Sequence, residues 1–193
     1  NELAAREIRG QLDSTLFRGS IARIGQRGSL TTDPKWDVDI AISKLNVDRY
    51  FPAVEQTTDS LSELLAGPLA TLSANEGSFK LNADELSGRG AAAKELRLFV
   101  RVDDGDLRIH RLRAANMVGL SADIEGRIRG LESDPQLAIS ADFSAANLAA
   151  FYRWLGMEPP IDVFKLGRFS YAGSLGGGLD NPVIDGSGVI AGA

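Results

Sequence analysis

The chain has no cysteine, one histidine (His110) and two methionines in 193 residues. Without cysteine there is no disulfide scaffold, no thiolate metal site and no cysteine nucleophile. A single histidine rules out a multi-histidine metal centre and leaves His110 alone to serve any Ser-His-Asp arrangement. Long apolar runs are also missing: nothing approaches the ~18 residues that would span a membrane as a helix. Base is not in excess, with 21 Lys and Arg against 26 Asp and Glu and a net charge of −5. That balance argues against a nucleic-acid partner, which calls for a basic surface. The chain begins at Asn1 with no Met and no signal-peptide pattern, and it stops inside the alternating stretch VIDGSGVIAGA. Both ends read as cut from something longer.

What the chain does have is glycine, 21 in all, and a hydrophobic period of two. Leu96, Leu98, Val100 and Val102 alternate with Arg97, Phe99, Arg101 and Asp103. Leu120, Ala122, Ile124, Gly126 and Ile128 alternate with polar residues from Ser121 to Arg129, and Trp36, Val38, Ile40 and Ile42 do the same. Such patterns belong to strands with one dry and one wet face, as antiparallel sheets allow. Ten strands are expected, near 3–12, 15–24, 35–43, 77–86, 94–102, 106–115, 118–129, 136–143, 165–175 and 183–191. Asp104-Gly105 is a hairpin signal. Beyond it Leu107 and Ile109 share a face while Leu112 and Ala114 take the other parity, so a bulge near His110–Arg111 is expected.

Two stretches carry helical spacing. Ser144 is placed to cap a helix through Leu155, and Asp59 a second one that Pro68 kinks or restarts before Leu69 and Leu72. Residues 53–59 read as a linker or loop. The segment from Asp33 lies on the segment from Asp134 without a gap at an offset of 101 residues, with Asp-Pro on Asp-Pro, Val38 on Ile139 and Ser43 on Ser144. We read these as internal repeat units, about 33–58 and 134–159, within a single fragment of residues 1–193.

The fold expected is mainly β: a long curved antiparallel sheet, either a β-groove or a partly closed sandwich, with two short helices over part of the apolar face. Ten strands span some ~48 Å, while two helices cover about 20 Å. The remaining dry face then folds over as a sandwich or barrel, pairs with further chain, or stays open and is filled by an apolar ligand. Small residues on that face (Ala83, Ala122, Gly126, Ala141, Gly173) favour close approach.

No motif for bond chemistry stands out, and no enzyme activity, catalytic residue, cofactor or metal is expected. His110 lies among Arg108, Arg111 and Arg113 and reads as a solvated surface residue. GSLGGGLDN (173–181) lacks the Lys-Ser/Thr ending of a phosphate loop and reads as a hairpin turn. Asp103, Asp104 and Asp106 lack the spacing and closing Glu of a calcium loop. For the wet-face arginines (Arg97, Arg101, Arg108, Arg111, Arg113, Arg127, Arg129), cross-strand ion pairs with nearby carboxylates are the expectation.

The run GDLRIHRLRAANMVGLSADIEGRIRG (105–130) resembles the AsmA family of bacterial envelope proteins, in which an Asp-Gly hairpin leads to a Leu-x-Leu-x-x-Leu-x-Ala strand, a small-residue turn and a second alternating strand. SKLNVDRYFPA (43–53), the leucine-rich stretch 64–105 and ADFSAANLAAFYRWLG (141–156) are similar to further elements of that family, from about Asp33 onward. The sequence departs from the family at Asn116–Gly119, where Tyr-Gly-Gly is common.

The resemblance implies a periplasmic module, tethered to the inner membrane through an N-terminal helix missing here. It implies β-groove units, a part in outer-membrane assembly, and phospholipid transport between the two membranes. The expected groove lining is Val38, Ile40, Ile42, Leu96, Leu98, Val100, Val102, Leu120, Ile124, Ile128, Leu137 and Ile139, against phospholipid acyl chains. The alternative is a non-enzymatic adaptor β-sandwich, meeting outer-membrane assembly components through protein–protein contacts.

Overall fold

The computed structural model describes residues 3–12, 15–24, 35–46, 48, 69–71, 73–88, 91–131, 133–146 and 168–191. The strands are β1 (Leu3–Leu12), β2 (Thr15–Ile24), β3 (Lys35–Asn46), β4 (Gly77–Gly88), β5 (Ala91–Asp103), β6 (Asp106–Met117), β7 (Leu120–Arg129), β8 (Gln136–Ala145), β9 (Arg168–Gly178) and β10 (Pro182–Ala191). They form one open, curved sheet in strictly sequential order, with β1 and β10 at its edges. Substantial strand–strand contacts run only between neighbours in that order. Among the described residues there is therefore a single sheet, and neither a second sheet nor a closed barrel.

Alternation becomes architecture through register. Val38, Phe79, Val100, Ile109, Gly126, Ile139, Leu175 and Ile184 stand side by side in one row across eight strands. The next row holds Ile40, Leu81, Leu98, Leu112, Ile124, Ala141, Gly173 and Gly186. Because side chains point to opposite faces with period two, rows of this kind put the apolar residues on one side. Keeping β6 in phase requires the bulge foreseen from its sequence: Phe99 pairs with Arg111 and Val100 with Ile109, so His110 is the extra residue. Leu107 and Ile109 then share a face with Leu112 and Ala114.

The turns follow their chemistry. Asp104 and Gly105 both have positive φ (51° and 70°), as do Val118 and Gly119 (56° and 81°). Both are two-residue hairpins of the kind that match strand twist. The Asp103–Asp106 stretch is thus a tight turn, as expected. Val118 is a β-branched residue in a left-handed conformation, which costs stability. The Asn116 side chain supports the turn by accepting the Gly119 amide at 2.9 Å.

Four expectations need correcting. The sheet is not antiparallel throughout: β3 and β4 are parallel, Trp36 facing Gly77 and Asn46 facing Ser87. Residues 47–76 lie between these strands, a length that permits a crossover. Ser144 does not cap a helix, because β8 runs on to Ala145 and Ser144 pairs with Ser121 and Ser170. The remainder of that expected helix lies outside the described residues, as do residues 53–59 and the helix from Asp59 as far as Pro68. Past Pro68, Leu69–Thr71 form a helical turn. Gly173–Gly178 is not a turn but part of β9, hydrogen-bonded to β8 and β10, and the chain reverses at Leu179–Asn181. Fourth, the wet-face arginines other than Arg127 form no salt bridge among the described residues.

The strands at the 101-residue offset begin alike, Lys35 and Gln136 each following Asp-Pro. They then diverge, since the strand after β3 returns parallel and the strand after β8 antiparallel.

The buried cluster sits at one end of the apolar face. Val102, fully inaccessible, packs with Val100, Leu107, Ile128 and Leu137, and Leu69, Leu131 and Leu179 close over them. The Leu131 amide fastens this end by donating to the Gly105 carbonyl at 2.9 Å.

Close strand approach explains the glycine at Gly126. Its φ is +147° and an added Cβ would lie 2.6 Å from the Ile139 Cα. We expect Gly126→Ala to lower the unfolding free energy by about 1–3 kcal/mol. Gly105→Asn, in open space at a conformation Asn tolerates, should change it by less than about 0.5 kcal/mol. Val118→Asn should raise it by about 1 kcal/mol. Urea denaturation of the three variants checks all of these.

Candidate functional site

Every residue expected to line a groove lies on the same face. Val38, Ile40 and Ile42 come from β3, Leu96, Leu98, Val100 and Val102 from β5, Leu120, Ile124 and Ile128 from β7, and Leu137 and Ile139 from β8. Between them stand residues that the sequence reading left out: Phe79 and Leu81 on β4, Ile109 and Leu112 on β6, Leu175 on β9. Alternation in FKLNA would have supplied the first two. Leu131 and Leu179 stand in turns, where no period announces them.

Burial along this face is uneven. Val100, Val102, Ile128, Leu137, Leu120 and Ile42 are buried, whereas Val38, Ile40, Leu96, Leu98, Ile124 and Ile139 keep part of their surface exposed. An aromatic group continues the face toward β9: Phe143 lies 5.1 Å from Tyr171 and 5.7 Å from Phe169, ring centre to ring centre. The Tyr171 hydroxyl donates to the backbone carbonyls of Ser174 and Asp185, both at 3.1 Å. It thus lies over Gly173 and Gly186, where an added Cβ would meet neighbouring backbone. No polar or charged residue is buried among the described residues.

Concavities accompany the sheet. One of about 1110 Å³ spans β1 to β5, lined by Phe17, Ile42, Ala83 and Leu96 and also by Arg9, Arg18 and Arg97. Another of about 630 Å³ lies at the closed end, between Leu69, Leu131, Pro135 and Leu179.

Charge gathers where β3 meets β4. The Lys35 ammonium pairs with the Asp103 carboxylate and lies 3.4 Å from Glu76, whose other oxygen accepts the Asp104 amide at 3.0 Å. The Glu76 carbonyl accepts the Trp36 amide at 2.8 Å. Glu76, Asp103 and Asp104 cluster closely enough for a metal ion, but Lys35 already supplies the cation. The hydrogen bond from Lys35, outweighing desolvation, holds the Asp103 carboxyl below its ordinary value, and the same bond raises Lys35.

The expected arginine ion pairs form at one residue. Arg127 pairs with Asp106, which also accepts the Gly130 amide at 3.2 Å. Among the described residues, Arg97, Arg101, Arg108, Arg111, Arg113 and Arg129 make no salt bridge. Arg113 faces Asp123 in register, but facing positions do not fix where two long, solvated side chains point. His110 is exposed, as expected, and stacks on Phe99 with ring centres 4.4 Å apart.

Comparison with protein-family models, with curated proteins and with solved structures finds no match to this chain.

The Lys35 cluster has a pH signature. A carboxyl lowered in the folded state adds stability above its unfolded value, lost as pH falls through the folded value. The stability difference between the native chain and Lys35→Met should therefore be constant from neutral pH to about pH 5. It should shrink as pH falls through the Asp103 value below 3.8. At the alkaline end it should fade as pH rises through the Lys35 value above 10.5. Urea unfolding across pH measures both limbs.

Proposed function

We propose that the chain is a periplasmic, AsmA-like module that shields phospholipid acyl chains along its apolar face. In this reading it serves lipid movement between the inner and outer membranes and thereby outer-membrane assembly, tethered to the inner membrane in the longer protein. The observation that supports it is the unbroken set of apolar rows across an open sheet, with no polar residue buried among them. An acyl chain needs no polar recognition: each CH₂ taken from water is worth about 0.8 kcal/mol, so affinity accrues along the row. The partly exposed residues Ile40, Leu98, Ile124 and Ile139 are the positions with surface left to give to a ligand.

A specific observation favours a second reading, that of an adaptor. Edge strand β10 leaves Val183, Ile184, Val189 and Ile190 more than half exposed, and an edge of that kind accepts an added strand from a partner. Recovery of outer-membrane assembly components on the immobilised chain, abolished by Val189→Lys, would support it.

For the groove, native mass spectrometry after incubation with phospholipid should show bound lipid on the folded chain. Ile124→Glu places a charge in the middle of the face and should weaken retention at least ~10-fold. Absence of lipid on the native chain, or equal retention by the variant, overturns the groove reading.

A further inference from the structure

The opposite face of the sheet carries a feature that the groove does not use. On β4, β5 and β6 three polar-face rows lie in register: Ser78, Arg101 and Arg108; Lys80, Phe99 and Arg111; Asn82, Arg97 and Arg113. Six of these nine positions are cationic and none is a carboxylate. Arg101 faces Arg108 directly, and Arg97 faces Arg113. Like charges opposed across strands destabilise a sheet, and none of these five arginines is relieved by a salt bridge among the described residues. At the centre Phe99 is stacked on His110, with the Lys80 ammonium 5.0 Å from its ring centre. Asp37 and Asp39 flank the strip on β3 and Asp123 and Glu125 on β7, where Arg127, facing Arg108, is already paired with Asp106.

We infer that this strip docks the chain on an anionic phospholipid bilayer. Charge complementarity selects the partner class, because a chain of net charge −5 gathers six cations in register on three neighbouring strands. A continuous polyanion crossing the strands would run onto Asp37 or Asp39 on the β3 side, and onto Asp123 or the Asp106-paired Arg127 on the β7 side. Lipid headgroups are separate and mobile, and they gather beneath the arginines without meeting the flanks. Sheet twist works in the same direction, since a plane touches only a few strands of a twisted sheet at once. Phe99 supplies an apolar ring at the level where headgroups meet acyl chains. The inference stands apart from whatever fills the other face.

Sedimentation of the full chain with vesicles tests it. Vesicles of phosphatidylcholine with about one third phosphatidylglycerol should carry the chain down, and phosphatidylcholine alone should not. Raising the salt from about 0.05 M to 0.5 M should release at least ~10-fold of the binding. The triple variant Arg101→Ser, Arg108→Ser, Arg113→Ser should lose at least ~10-fold, while Arg129→Ser, outside the strip, binds as the native chain does. Removal of opposed like charges should leave the triple variant at least as stable in a thermal melt, which separates lost docking from lost folding. Equal binding to both vesicle types, native-like binding by the triple variant, or displacement from vesicles by a single-stranded RNA oligonucleotide overturns the inference. Lipid retained in the groove is read separately by mass spectrometry, so either idea can fail alone.

Discussion

Lateral register is the constraint on which the rest depends. A strand contributes to an apolar face only if its neighbours are in phase, and a slip of one residue would send its whole set to the other side. The chain maintains phase over ten strands through local devices. A one-residue bulge at His110 lets β6 change parity without leaving the face. Gly126 lets β7 pass close to β8 at the level of Ile139. Two-residue turns at Asp104–Gly105 and Val118–Gly119 hold β5, β6 and β7 in their hairpins. With these in place, Val100, Ile109 and Ile139 stand in one row despite coming from different strands with different local spacing.

The two faces then divide the work. The apolar face is closed at one end, where Leu69, Leu131 and Leu179 cover Val102 and its neighbours, and leaves partly exposed side chains farther along. A sheet whose driving force were only a filled core would gain by burying Ile124 and Leu98 as fully as Val102, since each increment of apolar area taken from water is favourable. On the polar face the unpaired arginines gather on β5 and β6, Arg127 on β7 is paired with Asp106, and Lys35 is drawn to the junction between β3 and the β5–β6 turn.

Much of this was legible in the sequence, because strands with one wet face write their orientation in alternating residues. The limits of β1, β2 and β7 lie within two residues of the expected ranges, and the parity break at His110 identified a bulge from sequence alone. The twelve apolar positions could be assigned to one face for the same reason. What alternation does not encode is partner choice over distance. Nothing local in WDVDIAI distinguishes a parallel neighbour from an antiparallel one, so the pairing of β3 with β4 was missed. Composition misled at Gly173–Gly178, where glycine reads as a turn but serves a strand whose backbone approaches its neighbours closely. Ser144 is a good helix cap in isolation, yet its backbone hydrogen bonds were committed to the sheet. Sequence proximity likewise overstated the arginine ion pairs, since it sets which residues face one another and not which rotamers they adopt.

The parallel junction between β3 and β4 has consequences for how the sheet assembles and comes apart. From β4 to β8 each strand is joined to its neighbour by a short connection, so pairing there proceeds through contacts close in sequence. β3 reaches β4 only after residues 47–76 close a loop, whose entropy must be spent before any ladder bond is gained. The unit β1–β3 is therefore held to β4 by ladder pairing and by the Lys35 cluster at one end of the seam, not by a short turn. The seam thus carries a closure entropy that the β4–β8 hairpins do not, offset by ten paired positions from Trp36–Gly77 to Asn46–Ser87.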